Sequence, residues 1–477
     1  MQFDRKLQLA TDLYQFTMGN VYVQDGKENE EAVFDVFIRN NPFEGGYTVV
    51  AGLEQVIEYV NGIRFTKEDT ALLKKNHPEF SPAFLAYLEN FKFEGEIFAI
   101  PEGSIIFPME PIIRVKAPLI QAQIVETTIL SIVNHQTLIA TKASRIIEEA
   151  RGDVVMEFGL RRAHGTEAGY YGARAAVIGG CAGTSVVETE AMLDRPAMGT
   201  MSHSFILSYD TELEAFEKYV KYNPDNATLL VDTYNTLEKG VPNAIKVFKK
   251  ALAEGAITGH YGIRIDSGDL AYFSIEARKM LDEAGLQDAG IVASSDLDEH
   301  LIKDLKSQGA KINSWGVGTK LITAYDCPAL GGVYKLSVIS GKSKLKVSND
   351  PEKITNPGYK KIFRIYGKSN GMALADLITL EDETIDEAEP LTIFHPVHTW
   401  KKRIITDYYI RELLIPIFID GKCVYQSPTI SEIQQHLKDE KDSLWPAFKR
   451  MVNPHVYHVD LSENLWTLKQ QLLSEAE

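Results

Sequence analysis

Apolar residues recur along the chain in two rhythms, one typical of strands and one typical of helices. Residues 32–39 form an alternating, β-rich run that predicts a strand, and residues 53–60 place their apolar side chains on one face of a predicted helix. Short apolar runs with Pro and Gly corners between residues 93 and 115 predict further strands, and a long helical stretch follows at about 119–150. Residues 1–150 are therefore predicted to form an α+β domain, a small β sandwich or barrel hybrid with helices.

The middle of the chain repeats one pattern, in which a β-rich apolar run ends in polar residues and a helical pattern follows. The runs predicted as strands cover residues 154–160, 175–181, 227–231, 261–265, 291–293 and 312–315. From His203 to Asp232 is 29 residues, and 32 residues separate Asp232 from Arg264 and Arg264 from Asp296. This spacing is typical of repeated βα units.

Two architectures share this periodicity, an α/β barrel and a doubly wound open sheet. Polar residues stand at about seven consecutive strand ends, and a closed ring would bring all of them to one mouth, whereas an open sheet would concentrate them at a single switch point. We therefore predict an irregular α/β (TIM-like) barrel over residues 151–330 and a second α+β domain built from the N-terminal segment and from C-terminal segments. Residues 331–477 are predicted to hold a strand at 332–339, a basic loop-rich part and then a helical extension.

The 477-residue chain carries a formal net charge of −16, which disfavours nucleic acid and anionic membrane surfaces as partners. Its cysteines, Cys181, Cys327 and Cys423, lie far apart, so neither a metal cluster nor a disulfide framework is expected and a reducing compartment is favoured. The first residues do not resemble a signal peptide, and no apolar run approaches the ~20 residues that span a bilayer. We expect a cytoplasmic protein.

The strand ends of the middle region would gather charged groups of both signs. These groups are Arg161, Arg162, Arg264 and Lys320 as cations, and Asp232, Asp266, Asp269 and Asp296 as carboxylates. Arginine binds carboxylate and phosphate through paired hydrogen bonds, and the turn at residues 316–319 can hold a phosphate with backbone N–H groups. Several carboxylates beside phosphates indicate Mg²⁺ or hydrogen bonds to sugar hydroxyls. The pattern predicts a site for a phosphorylated sugar and a planar anionic partner.

His203 stands among small and hydroxyl-bearing residues in the stretch 199–206. A neutral imidazole is a nucleophile that can carry a group covalently, and the neighbouring hydroxyls can donate hydrogen bonds to anionic oxygens. Taken alone, a histidine in such a stretch more often caps a turn, so the rest of the chain has to decide between the two interpretations.

Together these motifs resemble the nicotinate phosphoribosyltransferase family. The matching segments are, in chain order, residues 11–15, 39–47, 157–162, 183–185, 199–205 and 263–270, followed by 346–348, Lys353, 357–358 and Lys360. The match extends from residue 11 to about residue 364, and no diagnostic motif appears beyond about residue 380.

The resemblance implies an ATP-dependent enzyme of NAD salvage that joins nicotinate to 5-phosphoribosyl-1-pyrophosphate and yields nicotinate mononucleotide and pyrophosphate. ATP hydrolysis to ADP and phosphate would be coupled through a phosphohistidine, and the matching position is His203. The family's ring-stacking aromatics match Phe158 and, from a neighbouring subunit, Tyr14. A homodimer with shared active sites is therefore implied, with ATP and Mg²⁺ as cofactors; the resemblance does not identify the Mg²⁺ ligands.

The family's other contacts fall mostly on the predicted strand ends. The resemblance assigns nicotinate contacts to Thr200 and Arg264, a base-site contact to Arg161, sugar, phosphate and metal contacts to Asp232, Asp266 and Asp296, the phosphoribosyl phosphate loop to Gly318 and Thr319, and a phosphate contact across the dimer to Arg39. Of these, Arg264 and Asp266 are expected to act in catalysis together with His203.

Ser185 bears on the choice of base, because the nicotinamide-using relatives carry an aspartate at the matching position. A serine leaves the nicotinate carboxylate unrepelled, so nicotinamide phosphoribosyltransferase is the second interpretation. A quinolinate-using, decarboxylating relative would need more cationic groups. A barrel glycoside hydrolase with paired carboxylates and a non-catalytic nucleotide-binding protein are the alternatives from other classes.

Overall fold

The computed structural model describes residues 6–349 and 353–476, and the chain divides into two compact units. One combines Met1–Leu138 with Ala329–Glu477, so both ends of the chain contribute to it, and the other is Ile139–Pro328. We call them the terminal unit and the central unit.

Helices and strands alternate along most of the chain. The α-helices are α1 (Leu13–Gln24), α2 (Leu53–Gly62), α3 (Lys67–Asn76), α4 (Pro82–Glu89), α5 (Leu119–Ile124), α6 (Glu126–Ala150), α7 (Thr166–Ile178), α8 (Glu190–Leu193), α9 (His203–Leu207), α10 (Glu212–Tyr222), α11 (Val241–Ala253), α12 (Leu270–Glu283), α13 (Glu299–Ser307), α14 (Thr319–Ile322), α15 (Ile430–Ser443) and α16 (Glu463–Ala476). The strands are β1 (Glu31–Ile38), β2 (Thr48–Val49), β3 (Glu96–Ala99), β4 (Ile105–Ile106), β5 (Ile113–Pro118), β6 (Val154–Glu157), β7 (Gly183–Thr184), β8 (Asn226–Leu230), β9 (His260–Ile265), β10 (Gly290–Ser294), β11 (Ser314–Val317), β12 (Gly332–Ile339), β13 (Lys342–Ser343), β14 (Lys360–Gly367), β15 (Ala373–Leu380), β16 (Leu391–Phe394), β17 (Lys402–Ile405), β18 (Tyr408–Glu412), β19 (Ile415–Ile419), β20 (Lys422–Cys423) and β21 (Val459–Leu461).

The terminal unit contains a seven-stranded antiparallel sheet in the order β13-β12-β1-β5-β3-β19-β20. β1 pairs with β12 on one side and with β5 on the other, so Val36 stands between Tyr334 and Ile113. The strands predicted at residues 32–39 and 332–339 are thus confirmed, and they are neighbours in the sheet although they come from opposite ends of the chain. A second, four-stranded sheet has the order β18-β14-β15-β21.

Two stretches differ from the predicted secondary structure. Residues 175–181 are predicted as a strand, but α7 continues to Ile178, and β7 begins only at Gly183. A short, fully buried apolar run fits a helix as well as a strand. The predicted helical extension of the tail also contains β16 to β20, because strands of two to five residues are too short to show a period of two.

The central unit is built on a six-stranded sheet in the order β7-β6-β11-β10-β9-β8, with every neighbouring pair parallel. The strands predicted near residues 154–160, 227–231, 261–265, 291–293 and 312–315 are confirmed as β6, β8, β9, β10 and β11. The connecting helices, such as α12 between β9 and β10, supply the βα repeat that the spacing predicts.

The predicted closed TIM-like barrel is not confirmed. The sheet winds like a barrel, because the last strand, β11, pairs with the first, β6, but within the fully described range 139–328 β7 and β8 remain edge strands. The chain between them forms the helices α8, α9 and α10 and supplies no strand to join the edges. The result is a mixed α/β fold with a curled half-barrel of parallel strands.

No helix within residues 6–349 and 353–476 is both long and apolar enough to cross a membrane. The longest, α6, carries several charged residues.

Candidate active site

The parallel strands of the central unit end at one edge of their sheet, and most of the predicted site residues follow those ends. In strand order they are Phe158 after β6, Ser185 after β7, Asp232 after β8, Arg264 and Asp266 at the end of β9, Asp296 after β10, and Gly318 with Thr319 after β11.

The stretch that contains His203 spans the open side of the half-barrel. The Met198 N–H donates to the Thr184 carbonyl at the end of β7 (2.8 Å), and the Asn226 side-chain amide on β8 donates to the Gly199 carbonyl (3.0 Å). Residues 198–199 therefore contact both edge strands, and α9 begins four residues later at His203. The gap in the sheet thus accommodates the segment predicted to carry the chemistry.

His203 is anchored through one ring nitrogen. Its Nε2 lies 3.1 Å from Asp232 Oδ1, and the Asp232 side chain is 1% exposed whereas that of His203 is 40% exposed. Asp232 Oδ2 accepts hydrogen bonds from the Asp266 backbone N–H (3.0 Å) and the Ser267 hydroxyl (2.6 Å). An ionised carboxylate only accepts, so Nε2 donates the shared proton and the lone pair of Nδ1 remains available.

Arg264 connects the His203 stretch to β9 and β10. Its Nε donates to the Ser294 hydroxyl (2.8 Å), Nη1 to the Thr200 hydroxyl (2.9 Å) and the Met201 carbonyl (3.3 Å), and Nη2 to Asp266 Oδ1 (3.0 Å). The Ser294 hydroxyl also donates to Asp266 Oδ1. The Arg264 side chain remains 15% exposed and that of Asp266 27% exposed, so both groups are accessible from solvent.

Six residues are thus joined by hydrogen bonds at the carboxyl edge of the sheet. We call them the strand-end network: Thr200, His203, Asp232, Arg264, Asp266 and Ser294. Five of them are predicted site residues.

Phe158 borders the strand-end network. Its backbone N–H donates to the Val317 carbonyl (2.8 Å), and its ring centroid lies 5.9 Å from the Arg264 Cζ atom. Gly316 makes room for the ring, because a Cβ atom there would lie 2.6 Å from a ring carbon. The aromatic face and the guanidinium are therefore within reach of one planar ligand.

Glu157, the last residue of β6, holds two strand ends together. It is fully buried and accepts hydrogen bonds from the Thr184 hydroxyl (2.5 Å) and the Gly159 backbone N–H. Burial raises the pKa of Glu157, and the two hydrogen bonds partly oppose this rise. This buried carboxyl group holds the ends of β6 and β7 together beside the site, and it does not line the site itself.

The turns after β10 and β11 have unusual backbone conformations. Ser295 and Asp296 have φ angles of 98° and 40°, which is strain of the kind that clusters at functional sites. Gly318 has φ −117° and ψ −98°, and a Cβ atom there would lie 3.1 Å from the Phe158 carbonyl oxygen. A side chain at position 318 would crowd the start of the turn that precedes Thr319.

Lys320, predicted as a cation of the site, is already paired. Its Nζ lies 2.6 Å from Asp298 Oδ2. Burial favours a higher pKa for Asp298, but the hydrogen bonds from Lys320 and the Leu301 backbone N–H, together with the charges of Lys320 and Lys142, outweigh it and lower that pKa below its usual value. The hydrogen bond to Asp298 raises the pKa of Lys320. Its charge therefore serves this ion pair.

Several other predicted groups lie outside the strand-end network. The Asp269 side chain accepts a hydrogen bond from the Tyr272 backbone N–H (2.9 Å) and caps α12. Arg161 and Arg162 are exposed in a 3₁₀ turn after β6. Ser185 is half-buried, and its backbone N–H donates to the Glu157 carbonyl (3.0 Å).

Tyr14 and Arg39 both belong to the terminal unit. Tyr14 lies in the first turn of α1 and is 45% exposed, and Leu13 beside it is 49% exposed. Arg39 follows β1 and is half-buried.

Two hydroxyl groups of the site were not predicted. Ser294 bridges Arg264 and Asp266, and Ser267 donates to Asp232. Ser294 is the last residue of β10, so the rule that strand ends carry function would have selected it. Its side chain is small and uncharged, so the pattern of charged residues at the strand ends does not single it out.

Mg²⁺ fits the carboxylates of this edge, because it prefers oxygen ligands. Asp266 uses Oδ1 for Arg264 and Ser294, and the exposed Asp296 lies one strand away. Among the described residues, the group with metal-ligand spacing is Glu299, His300 and Asp326. There the Lys142 ammonium lies 2.7 Å from Glu299 and 2.6 Å from Asp326, which supplies the positive charge.

Comparison with known proteins extends the match to the whole chain. Residues 9–134 match the model of the nicotinate phosphoribosyltransferase N-terminal domain, and residues 359–469 match that of the C-terminal domain. A nicotinate phosphoribosyltransferase of Bacillus subtilis is 48% identical over 99% of this chain and 96% of its own length. One of Caenorhabditis elegans is 36% identical over 96% of this chain and 92% of its own length.

Solved structures share the fold. The human nicotinic acid phosphoribosyltransferase has a TM-score of 0.86 and 28% identity, with coverage of 97% of this chain and 99% of that one. A nicotinate-nucleotide pyrophosphorylase from Pyrococcus furiosus has a TM-score of 0.70 at 22% identity, which supports the fold alone.

Proposed function

The chain belongs to the nicotinate phosphoribosyltransferase family and is an enzyme of NAD salvage that synthesises nicotinate mononucleotide; we propose that it uses 5-phosphoribosyl-1-pyrophosphate and couples ATP hydrolysis through phosphorylation of His203. The proposed phosphorylation of His203 rests on the 3.1 Å contact between His203 Nε2 and the buried Asp232. The relatives favour nicotinate over nicotinamide as the base.

The phosphoryl group would transfer to Nδ1 of His203. Asp232 holds the Nε2–H and stabilises the positive charge that develops when Nδ1 attacks. The Nδ1–P bond forms as the bond between the γ-phosphorus and the β,γ-bridging oxygen of ATP breaks, and ADP leaves. Water later cleaves the N–P bond, which returns the histidine and yields phosphate.

The glycosyl transfer needs stabilisation of the leaving group and a positioned nucleophile. The pyridine nitrogen of nicotinate attacks C1′ of the phosphoribosyl group as the C1′–O bond to pyrophosphate breaks. Arg264, held by its bonds to Ser294, Thr200 and Asp266, is placed to bind the nicotinate carboxylate. Phe158 is placed to stack on the pyridine ring, so proximity supplies much of the acceleration.

The phosphate groups of the substrate would lie at the turns after β10 and β11. Gly318 and Thr319 offer backbone N–H groups, and the exposed Arg161 contributes positive charge near the base. Asp266 and Asp296 are the residues that would hold Mg²⁺, which neutralises pyrophosphate charge when bound. The negative charge added by phosphorylation of His203 would strengthen this ion binding.

Mass spectrometry of the protein incubated with ATP tests the phosphohistidine. We expect an acid-labile phosphate on the peptide that contains residues 199–206, and no label on a His203→Ala variant. The matched control is His260→Ala, because His260 is an exposed histidine at the start of β9, the strand end away from the network. A His203→Ala enzyme that still couples ATP hydrolysis to product formation would refute the proposal.

We infer a homodimer in which Tyr14 and Arg39 complete the site of the neighbouring subunit. The exposed Leu13 and Tyr14 support this, since apolar side chains at a helix start are often covered by a partner. Co-refolding inactive Tyr14→Ala and His203→Ala subunits should restore activity, because one of the two sites in a mixed dimer is intact. Sites confined to one chain would give no such recovery.

Ser185 is proposed to set the choice of base. The half-buried Ser185 lies at the end of β7, and an aspartate there would repel the nicotinate carboxylate. Ser185→Asp should lower kcat/KM for nicotinate relative to nicotinamide, whereas Ser185→Ala should change the ratio little. We also infer a cytoplasmic location, which agrees with the wide separation of the three cysteines along the sequence.

A further inference from the structure

The turn after β9 directs two hydrogen-bond donors to one oxygen of Asp232. Asp232 Oδ2 accepts hydrogen bonds from the Asp266 backbone N–H (3.0 Å) and the Ser267 hydroxyl (2.6 Å), whereas Oδ1 lies 3.1 Å from His203 Nε2. An ionised carboxylate only accepts, so the Ser267 hydroxyl is the donor in its bond. The two carboxylate oxygens therefore have separate partners, the imidazole on one side and the turn on the other.

The pairing of β8 with β9 brings this turn beside Asp232. The two parallel strands pair up to Leu230 and Arg264, so the segments that follow them leave the sheet at the same level. Gly268, which has a φ of 80°, then turns the chain toward α12 in a conformation that residues with a side chain rarely adopt. Ser267 is thus the residue of the turn that lies next to the neighbouring strand end.

Serine hydroxyls in turns commonly bond to the backbone of their own turn. The start of α12 does not need Ser267 for this, because the Asp269 side chain already accepts a hydrogen bond from the Tyr272 backbone N–H (2.9 Å) and caps the helix. The Ser267 hydroxyl instead bonds to a residue that follows a different strand. Its contact therefore serves the pair formed by Asp232 and His203.

The two donors to Asp232 Oδ2 are fixed in different ways. The Asp266 N–H belongs to the backbone and stays in place, whereas the Ser267 hydroxyl depends on one side chain. The Asp232 side chain is 1% exposed, and a buried oxygen that loses a donor is costly to leave unpaired. Rotation of the carboxylate toward its remaining donors would then weaken the contact that fixes the imidazole of His203.

We propose that Ser267 is a positioning residue for phosphoryl transfer to His203. Its hydroxyl holds Asp232 Oδ2 so that Oδ1 keeps the Nε2 proton, and the lone pair of Nδ1 attacks the γ-phosphorus of ATP as the bond to the β,γ-bridging oxygen breaks. The proton stays on Nε2, and neither Ser267 nor Asp232 gains or loses an atom. The inference rests on the proposed phosphorylation of His203, and it adds that one hydroxyl decides which ring nitrogen is phosphorylated.

The identity of the phosphorylated nitrogen tests the proposal on the full chain. After incubation with ATP, alkaline hydrolysis releases phosphohistidine, and chromatography separates the Nδ1 and Nε2 isomers. We expect the wild type to carry the Nδ1 isomer. Ser267→Ala should lower the initial rate of phosphorylation about tenfold and should yield a measurable share of the Nε2 isomer, because the ring is no longer held through one nitrogen. Ser267→Thr retains the hydroxyl and should restore both the rate and the isomer.

Ser208→Ala is the matched control. It removes an exposed hydroxyl just after α9, which donates to the Phe205 carbonyl (2.7 Å), and it should change neither the rate nor the isomer. Thermal unfolding monitors the fold of each variant. Ser267→Cys, whose thiol is a weaker donor, serves in place of the alanine variant if that variant is unstable.

The outcomes separate the role of Ser267 from the proposed function. If the wild type carries phosphate on His203 and Ser267→Ala forms the Nδ1 isomer alone at the same rate, the role of Ser267 is overturned and the phosphohistidine stands. Equal impairment of Ser267→Ala and Ser267→Thr would also overturn it, because the volume of the side chain would then matter and the hydroxyl would not. A wild type without phosphate on His203 would refute both.

Discussion

Two arginines use similar partners in the two units but with different exposure. Arg364 in the terminal unit is fully buried; its Nε and Nη2 donate to Asp376, Nη1 donates to Glu440 (2.6 Å) and Nη2 also donates to the Ile105 carbonyl (2.8 Å). Arg264 in the central unit has one carboxylate partner, Asp266, and remains 15% exposed. An arginine–carboxylate pair therefore stabilises the fold where it is buried, as at Arg364. Where it is partly exposed, as at Arg264, it stays accessible to a ligand.

The surroundings of the two arginines explain the difference. Around Arg364, Tyr457 donates to Asp376 (2.9 Å) and stacks on Phe107 with ring centroids 3.8 Å apart. No ligand can enter such a cluster without displacing a core side chain. Arg264 instead lies at the edge of a sheet, where its other partners are two hydroxyl groups and a carbonyl from the end of β10 and from the irregular stretch before α9. An ion pair alone does not reveal function; its access to solvent does.

Replacement of the buried Arg364 should have the largest effect of the changes considered, and the effect should be on the free energy of unfolding. Arg364→Met leaves Asp376 buried without its counter-charge and leaves Glu440 paired with Arg411 alone among the arginines that contact it, and we expect a loss of about 3–5 kcal/mol in the free energy of unfolding. Chemical denaturation of purified protein measures it. Arg411→Met is the control, because Arg411 also pairs with Glu440 but its side chain is 41% exposed, so the loss should be about 1 kcal/mol or less. Equal losses would contradict the role given to burial.

Removal of the open guanidinium should affect catalysis more than stability. Arg264→Met takes away the cation that we propose binds the nicotinate carboxylate, and we expect kcat/KM for nicotinate to fall by about 10²–10³-fold. Steady-state kinetics and denaturation are measured on the same preparations. Arg278→Met removes a guanidinium that is bound to Asp282 on α12 and should leave kcat/KM nearly unchanged. If Arg264→Met lost as much stability as Arg364→Met, the proposed difference between an arginine that stabilises the fold and one that binds a ligand would be contradicted.

The sequence predicted the surroundings of Arg264 better than those of the buried Arg364. Strand ends at intervals of about 30 residues placed Asp232, Arg264 and Asp266 together, because parallel strands end at one edge whatever their helices contain. The Arg364 cluster draws on β14, β15, α15 and the segment before β21, and no local period links such distant residues. The break in the barrel was equally hidden, since the absence of a strand between β7 and β8 depends on packing.

The buried cluster around Arg364 should make the free energy of unfolding depend on pH in a definite direction. Burial raises the pKa of Glu110 well above its usual value, and the negative charge of Asp376 raises it further. The folded state thus keeps a proton that the unfolded chain releases above about pH 4.3. This contribution to stability is complete below the unfolded pKa and is lost as the pH rises through the folded pKa.

Glu110→Gln should therefore remove the part of the pH dependence of the free energy of unfolding that arises from Glu110. Glutamine cannot ionise, and its amide can still donate to Asp376. In the window between the two pKa values, the free energy of unfolding of the wild type should fall relative to the variant by about 1.4 kcal/mol per pH unit. Denaturation at a series of pH values measures the difference. A difference that stays constant with pH would mean that Glu110 is ionised in the fold and that Asp376 and Glu440 share Arg364 with a third charge.

The smallest effect is expected from Ser294, which touches Arg264 and Asp266 but has no charge of its own. Ser294→Ala removes one bond accepted from Arg264 and one donated to Asp266, so the guanidinium loses its orientation and keeps its charge. We expect kcat/KM for nicotinate to fall roughly tenfold, with a change in KM larger than that in kcat and little change in stability. Ser294→Thr retains the hydroxyl and should recover most of the loss. If the threonine variant is as impaired as the alanine variant, then the volume at this strand end matters and the hydroxyl does not position Arg264.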